Sequence, residues 1–450
     1  MIKKHFSGGS LKARALKGGV IALSGFGAAQ AIRLVSNLVM TRLLAPDAFG
    51  LMGVTLALQV WISMMSDLGL DASIVRSKNG EDPKFLSTAR SMQLARALLI
   101  AIILTAIGFA LPSLAASGTF REGSVYADPR LPVFFFCLAG AVTIGGFNAM
   151  RIALHNRKLD LAPVIRLELG AQVFSVATMI IAALAGAGVY SLAVGAIAAA
   201  GAKCLGSFFV LKGPPARFSF DREHFREIFT YGKWLVIAST FGFLVQRGDQ
   251  LIFGWLFDLE AFAFYSIATL WIVSARTIIE TVQRRVVHPT FAELHRDRPR
   301  DLTRNYRRLR ISFEAACFAI FAGVILFADL AIRILYTDAY QGVAHYIKLL
   351  APMMLMLPYR LLSAITLTGG DSGRFTWITV VPGLALFIGT PLVYNAFGAD
   401  AAIVYAVMTP MTAQPFNWKF ASKFIKIDYA RESVMMIVAI IAAALLLKFA

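Results

Sequence analysis

The sequence encodes an all-α polytopic membrane protein, and three observations predict it. Only 16% of the 450 residues are charged while 58% are hydrophobic, and the mean hydropathy is +0.68; a soluble domain carries roughly a quarter charged residues. The apolar residues come in runs of about 20, long enough to cross a hydrocarbon core of ~30 Å as helices. The basic residues alternate: about 33 of the 44 Lys and Arg lie in one set of alternate loops and about 4 in the other, the bias that orients a multi-pass chain. Membrane barrel strands would read as short alternating segments, which are absent from this sequence.

In chain order, about 13 apolar spans fall near 18–41, 47–72, 88–112, 131–153, 163–186, 188–211, 229–256, 260–283, 310–333, 344–367, 375–395, 400–418 and 433–449. The first run is longer than a signal-peptide core and lacks a small-residue cleavage site, so it is expected to stay as a span. The basic loops are assigned to the cytoplasm, with the N-terminus, and 13 spans would leave the C-terminus outside. The net charge of +18 follows from this topology and does not point to nucleic acid. The outer loops are short, and the longest, near 113–130, has no room for a folded domain. The basic inner loops, above all 284–310, suit anionic headgroups. Cys137, Cys204 and Cys317 sit in separate apolar runs without metal-ligand or redox spacing; no metal and no cofactor is expected.

A shift of about 213 residues lays Leu43-Leu44-Ala45-Pro46-Asp47-Ala48-Phe49-Gly50 over Leu256-Phe257-Asp258-Leu259-Glu260-Ala261-Phe262-Ala263. Leu, Ala and Phe are identical and Asp lies over Glu. Each turn joins the first two spans of a six-span half, so the repeat is parallel, about an axis along the membrane normal. The expected divisions are a basic tail (1–17), an N-terminal six-helix lobe (18–211), a linker (212–227), a C-terminal six-helix lobe (228–418), and a cytoplasmic segment with an extra C-terminal helix (419–450).

The stretch Thr41-Arg42-Leu43-Leu44-Ala45-Pro46-Asp47-Ala48-Phe49-Gly50, followed by Ser66-Asp67-Leu68-Gly69-Leu70-Asp71-Ala72-Ser73-Ile74-Val75-Arg76, resembles the Wzx-type oligosaccharide flippases and polysaccharide exporters. These belong to the multidrug/oligosaccharidyl-lipid/polysaccharide superfamily. The echo ending Ala263-Phe264-Tyr265 is also similar. The resemblance is clearest in the first 80 residues and at the start of the second half. It implies two six-helix lobes forming a V around a central cavity, with one or two extra C-terminal helices, since the family usually has 12 or 14 spans. It further implies alternating-access translocation of an undecaprenyl-pyrophosphate-linked oligosaccharide across a bacterial inner membrane, for O-antigen, capsule or exopolysaccharide. A polysaccharide polymerase and a chain-length regulator are the partners it suggests, around a monomeric transporter.

The residues add their own reading. Gln30, Arg33, Asn37 and Thr41 follow i, i+3, i+7, i+11, one face of an apolar helix. Such a stripe must face protein or water, because hydrocarbon solvates none of it. Under the same shift Arg33 and Asn37 fall on Gln246 and Gln250, beside Arg247 and Asp249. Arginine suits a pyrophosphate because its planar fork binds phosphate oxygens bidentately and keeps its proton. The expected substrate-binding set is therefore Arg33, Gln30, Asn37, Gln246, Arg247, Gln250, Arg276 and Arg360, with Arg96 and Lys348 as further candidates. Plainer roles compete: Arg276 and Glu280 stand at i, i+4 and can neutralise each other, while Arg96, Lys348 and Arg333 can snorkel. Asp67, Glu168, Asp249 and Glu280 are the candidates for a coupling ion, with structural ion pairing as the alternative for each.

Three function classes follow: a flippase of lipid-linked oligosaccharide, an ion-coupled exporter of small amphipathic molecules from the same superfamily, and a membrane-bound polysaccharide enzyme. The enzyme class is disfavoured, because the outer loops hold no His, no well-spaced carboxylate pair and no domain.

Overall fold

In the computed structural model the described residues are 11–121, 123–158, 160–283, 287, 290, 291, 294, 299–368 and 372–449. The basic tail before Leu11, and Arg284 and Arg285 of the basic inner loop, lie outside them. Helices dominate, and the chain divides into two compact units, Met1–Thr240 and Phe241–Ala450.

The first unit contains α1 (Leu11–Leu43), α2 (Asp47–Met65), α3 (Leu70–Arg76), α4 (Pro83–Ala116), α5 (Leu131–Gly146), α6 (Arg151–Arg157), α7 (Leu161–Ala182) and α8 (Ser191–Phe209). Helix α9 (Arg222–Leu256) begins in it and ends in the second unit. The α1–α2 reversal is cut short by Pro46, which caps α2, with Asp47 opposite the positive end of the helix dipole. Met40, Leu44, Ala48 and Leu192 close over that turn as a buried cluster. Gly69 supplies the left-handed residue (φ 59°) that starts α3, and its N–H donates to Asp67 Oδ1 at 3.0 Å. Asp82 caps α4 by accepting from Lys84 N at 2.9 Å, with Pro83 in the first turn.

Helices α7 and α8 form an antiparallel hairpin that reverses through Gly186 and Gly188, both at positive φ. Ser175 Oγ donates to Gly195 O at 2.7 Å across it, so a polar group is satisfied between two apolar helices. Helix α7 also packs on α1: a Cβ at Gly25 would stand 2.4 Å from Ile165, and Gln172 Nε2 donates to Ala29 O at 3.0 Å.

The second unit holds the rest of α9, then α10 (Leu259–Val282), α11 (Pro299–Leu335), α12 (Val343–Leu350), α13 (Met353–Met356), α14 (Arg360–Thr368), α15 (Ser372–Leu384), α16 (Thr390–Phe397), α17 (Ala399–Met408), α18 (Gln414–Ala421) and α19 (Tyr429–Phe449). The α9–α10 reversal repeats the α1–α2 reversal in position but not in chemistry. Here Asp258 caps the helix, accepting from Ala261 N at 2.8 Å, whereas Pro46 caps α2 without a side-chain bond. The prolines of the late spans mark helix breaks. Pro352 and Pro358 separate α12, α13 and α14, and Pro382 precedes a π-turn at Ala385–Gly389. One carbonyl at such a break, Leu357 O, accepts from the buried Gln283 Nε2 at 3.0 Å.

Among the described residues seven helical stretches are long and apolar enough to cross a membrane, or up to eight if the bent pair α5–α6 is one span. The lower number than 13 has local causes. Leu161–Phe209 counts once although it is a hairpin. The stretch 343–368 is broken into three helices, and the number applies to the described residues only.

Helix α19 follows the second set of spans and is fastened by a buried ionic cluster. Arg310, only 1% exposed, lies 2.8 Å from Glu432 and 2.9 Å from Glu314. Tyr306 OH donates to Glu432 at 2.7 Å, and Arg431 bonds Glu314. The Arg310 guanidinium also lies 4.1 Å from the Tyr359 ring centroid. Two carboxylates and two guanidiniums balance here, which makes their burial tolerable. Glu432→Leu leaves Arg310 buried with one carboxylate fewer and should destabilise by about 3–5 kcal/mol, whereas Arg310→Leu/Glu432→Leu should recover most of that loss; thermal unfolding in detergent checks both.

In the first unit, Arg130 bridges Asp128 at 2.7 Å and Asp47 at 3.1 Å, joining the segment before α5 to α2. Burial alone would push the Asp128 carboxyl up. Hydrogen bonds from the Arg130 side chain and backbone outweigh that and hold it below the usual range. Its stabilisation is thus present above the ordinary carboxylate pKa and is lost as pH falls through the depressed folded value. Asp128→Asn should therefore lower the unfolding temperature at neutral pH and match the parent in strong acid, as melts at the two pH values would show.

Candidate functional site

On α1, Gln30 and Asn37 are half-buried and Arg33 is exposed. Arg33 lies ten residues before the helix ends at Leu43, about 15 Å along the axis. Thr41, the last residue of the predicted stripe, is different. It is 1% exposed and spends its hydroxyl on Leu38 O at 3.1 Å, so the exposed polar face ends before it.

Three of the other candidate charges of the first unit, Arg96, Asp67 and Glu168, are ion-paired. Arg96 on α4 reaches Asp67 at 3.4 Å and also donates to Ser63 O at 2.8 Å and Ser66 Oγ at 3.3 Å. It thereby caps the C-terminus of α2, where carbonyls lack helical partners. Lys203 on α8 pairs with Glu168 on α7 at 3.0 Å. Asp71, exposed on α3, lies within electrostatic reach of Asp67, Lys203 and Arg96.

In the second unit α9 carries Arg247, Asp249 and Gln250, all half-buried; the side chain of Gln246 lies outside the described residues. Asp249 accepts a hydrogen bond from the buried Tyr265 hydroxyl of α10. On α10, Glu280 Oε1 receives Arg276 Nε at 2.6 Å, and Arg360 of α14 bonds the same oxygen. Arg276 and Glu280 thus pair as their i, i+4 spacing allows, and a third group from a distant helix joins them. Arg276 also reaches Met353 Sδ at 3.7 Å. Lys348 pairs with Asp329 at 2.6 Å.

Sequence reasoning missed the Arg310–Glu314–Glu432 cluster, although Arg310 and Glu314 show i, i+4 spacing. It also missed Tyr265 as the partner of Asp249, for which no local signal exists. Among the described residues no group of three or more His, Cys, Asp or Glu could hold a metal, and the three cysteines are free thiols.

Residues 39–345 match the sequence profile of a family described as polysaccharide biosynthesis protein. No curated protein matches the chain. Among solved structures the fold is similar to an inward-facing multidrug resistance MATE family transporter of the MOP superfamily, with 14% identity, 90% of this chain and 95% of that chain covered, and a TM-score of 0.66. It is similar also to the lipid II flippase MurJ in an inward closed conformation, with 11% identity, 96% and 98% coverage and a TM-score of 0.64. A MOP superfamily transporter from Pyrococcus furiosus is similar at 14% identity, with 92% and 95% coverage and a TM-score of 0.54.

The Glu280 carboxylate is mostly buried and shared by two guanidiniums, while the Arg360 side chain is 48% exposed. Glu280→Gln should therefore destabilise by about 2–3 kcal/mol, and Arg360→Gln by about 1 kcal/mol or less because solvent screens it. Thermal melts of the two variants in detergent check the order.

Proposed function

We propose a function from one premise: this chain belongs to the polysaccharide biosynthesis protein family. For a multi-pass membrane transporter or flippase of that family we infer an anionic, lipid-linked cargo. Our reading is that this protein moves undecaprenyl-pyrophosphate-linked oligosaccharide repeat units across the bacterial inner membrane by alternating access, for surface polysaccharide, and is not an enzyme.

One observation carries the reading. Arg33 is exposed on α1 between half-buried Gln30 and Asn37, the single charged residue of the apolar stretch from Gly18 to Thr41 and about 15 Å of axis before the helix ends at Leu43. A guanidinium at that depth is costly unless it serves a polar pathway, and its fork suits phosphate oxygens. Exposed Arg360, with Arg276 beside it, and the α9 groups Arg247 and Gln250 extend the same chemistry to the second unit. The amide and hydroxyl donors and acceptors on these faces suit sugar hydroxyls. Polymerase and chain-length partners are part of this proposal, as is the placement of the N-terminus and basic loops in the cytoplasm.

Among the four acidic candidates, Asp67, Glu168 and Glu280 each face a cation. Asp249 is held by a phenol hydroxyl. Its hydrogen-bond donor is thus neutral and comes from the next helix, with Arg247 and Arg276 within electrostatic reach. Asp249 is accordingly our choice for the coupling group. Asp249→Asn should abolish transport driven by an imposed proton gradient while leaving gradient-free exchange within about twofold of the parent; loss of both would assign Asp249 to folding or substrate contact instead.

Deleting the gene should abolish a surface polysaccharide and make lipid-linked repeat units accumulate. Normal polysaccharide with raised drug sensitivity would favour a small-molecule exporter. In complementation, Arg33→Ala should reduce polysaccharide export by on the order of tenfold or more while inserting normally, the loss of about one charge-assisted phosphate contact. Arg33→Lys should retain part of the export. Normal export by the alanine variant would remove Arg33 from the substrate path.

A further inference from the structure

We propose that the segment from Lys212 to Phe229 is an interfacial anchor that binds the anionic phospholipid headgroups of the leaflet on the basic side of the membrane. Helix α8 leaves the apolar region at Phe209, which is 85% exposed. The chain then folds back to the same level. The Phe218 ring meets the Phe147 ring, just past the end of α5, edge-on with centroids 6.4 Å apart. The Arg90 guanidinium lies 4.3 Å from the Phe218 centroid and 5.4 Å from that of Phe208 at the end of α8. Phe218 is thus level with the ends of two apolar helices, at the depth where a bilayer gives way to headgroups.

The phenyl groups are held outward there. Phe218, Phe220 and Phe229 are 50%, 64% and 45% exposed. Phe220 and Phe225 approach to 5.1 Å, and Phe225 and Phe229 stack at 5.6 Å, so the rings form one apolar ridge. Lys212, Arg217, Arg222 and Arg226 are exposed along the same stretch. Two of its three acids are engaged locally: Asp221 caps α9 through the N–H groups of Glu223 and His224, each at 3.0 Å, and Glu227 accepts from Ser77 at 2.6 Å; Glu223 is exposed beside Arg222, so four cations face one exposed acid not tied in this way. Aromatic rings beside arginines at the end of membrane helices are suited to a headgroup layer, the rings partitioning inward and the cations meeting anionic lipid.

The segment is fastened by its backbone. Arg90 bonds Ala216 O, Ser91 Oγ donates to Ser219 O at 2.9 Å, and Ser87 Oγ and Thr88 Oγ1 accept from Arg217 N and Asp221 N at 3.2 and 3.1 Å. Arg151 donates to Phe208 O and Leu211 O at 2.6 and 3.0 Å. Ala216 is buried in the core cluster that also holds Leu70, Phe85 and Ile228. The fixed backbone presents the ridge as a built surface. The charge complement and the shared level with α5 and α8 favour the bilayer over a soluble protein as its occupant.

The test uses the full chain in nanodiscs with Phe220→Trp, and with Phe229→Trp as a second reporter, each measured as a difference from the parent. Both reporters should be quenched by brominated lipid, at least about twofold more by brominated phosphatidylglycerol than by brominated phosphatidylethanolamine. Arg217→Gln/Arg222→Gln/Arg226→Gln in the reporter background should remove that preference. Reporters that emit as in water and escape quenching would overturn the anchor. Equal quenching by the two lipids would overturn its selectivity for anionic headgroups.

Discussion

Hydrocarbon offers nothing to a charge or to an unpaired peptide group, and most of this architecture follows from that refusal. Backbone groups are met inside helices, and where a helix breaks another donor is found, as Gln283 supplies for Leu357 O. Charges within or beside the spans come in linked sets: Arg96 with Asp67, Lys203 with Glu168, Arg276 and Arg360 on Glu280, and Arg310 with Glu314 and Glu432. Each set joins different helices, so the solvation that lipid withholds becomes a tie between elements. The Arg310 set fastens the final helix, and the Arg96 set closes the end of α2.

This constraint also separates enclosed charges from those that keep exposed surface. Arg310 is enclosed and charge-balanced, so it holds the fold. Arg33 and the Glu280-paired Arg360 keep exposed surface, which is why the proposed pathway is built on them. Family membership makes polysaccharide biosynthesis the setting, and it is our proposal that these exposed cations meet a phosphate-bearing lipid within it. The linker has a related logic: bonds to α4 hold its backbone, and its exposed aromatic and basic side chains are what we propose the headgroups meet.

Much of the fold was legible in the sequence because its signals are local. Apolar runs set the helices, Pro46 and Asp258 stand at the two repeated reversals, and prolines mark the breaks in 343–368. The polar face of α1 was legible for the same reason, since Gln30, Arg33 and Asn37 share one helical face. Thr41 shares that spacing, but its hydroxyl bonds its own backbone, which periodicity alone does not reveal. Pairings between helices were not legible. Asp67 and Arg96 are 29 positions apart, Asp249 and Tyr265 meet across a turn, and Arg310 lay at the edge of a basic loop whose charge run hid its buried role. Such contacts are set by packing, and no spacing rule encodes them.

The central claim is that this protein carries lipid-linked oligosaccharide from one leaflet to the other. The most direct measurement reconstitutes the purified chain in vesicles with undecaprenyl-pyrophosphate-linked repeat units loaded in the inner leaflet and follows their exposure to an external, membrane-impermeant lectin. Time-dependent exposure that requires the protein, and that slows when Arg33 is replaced by alanine, is the predicted result. Exposure no faster than in protein-free vesicles would contradict the account.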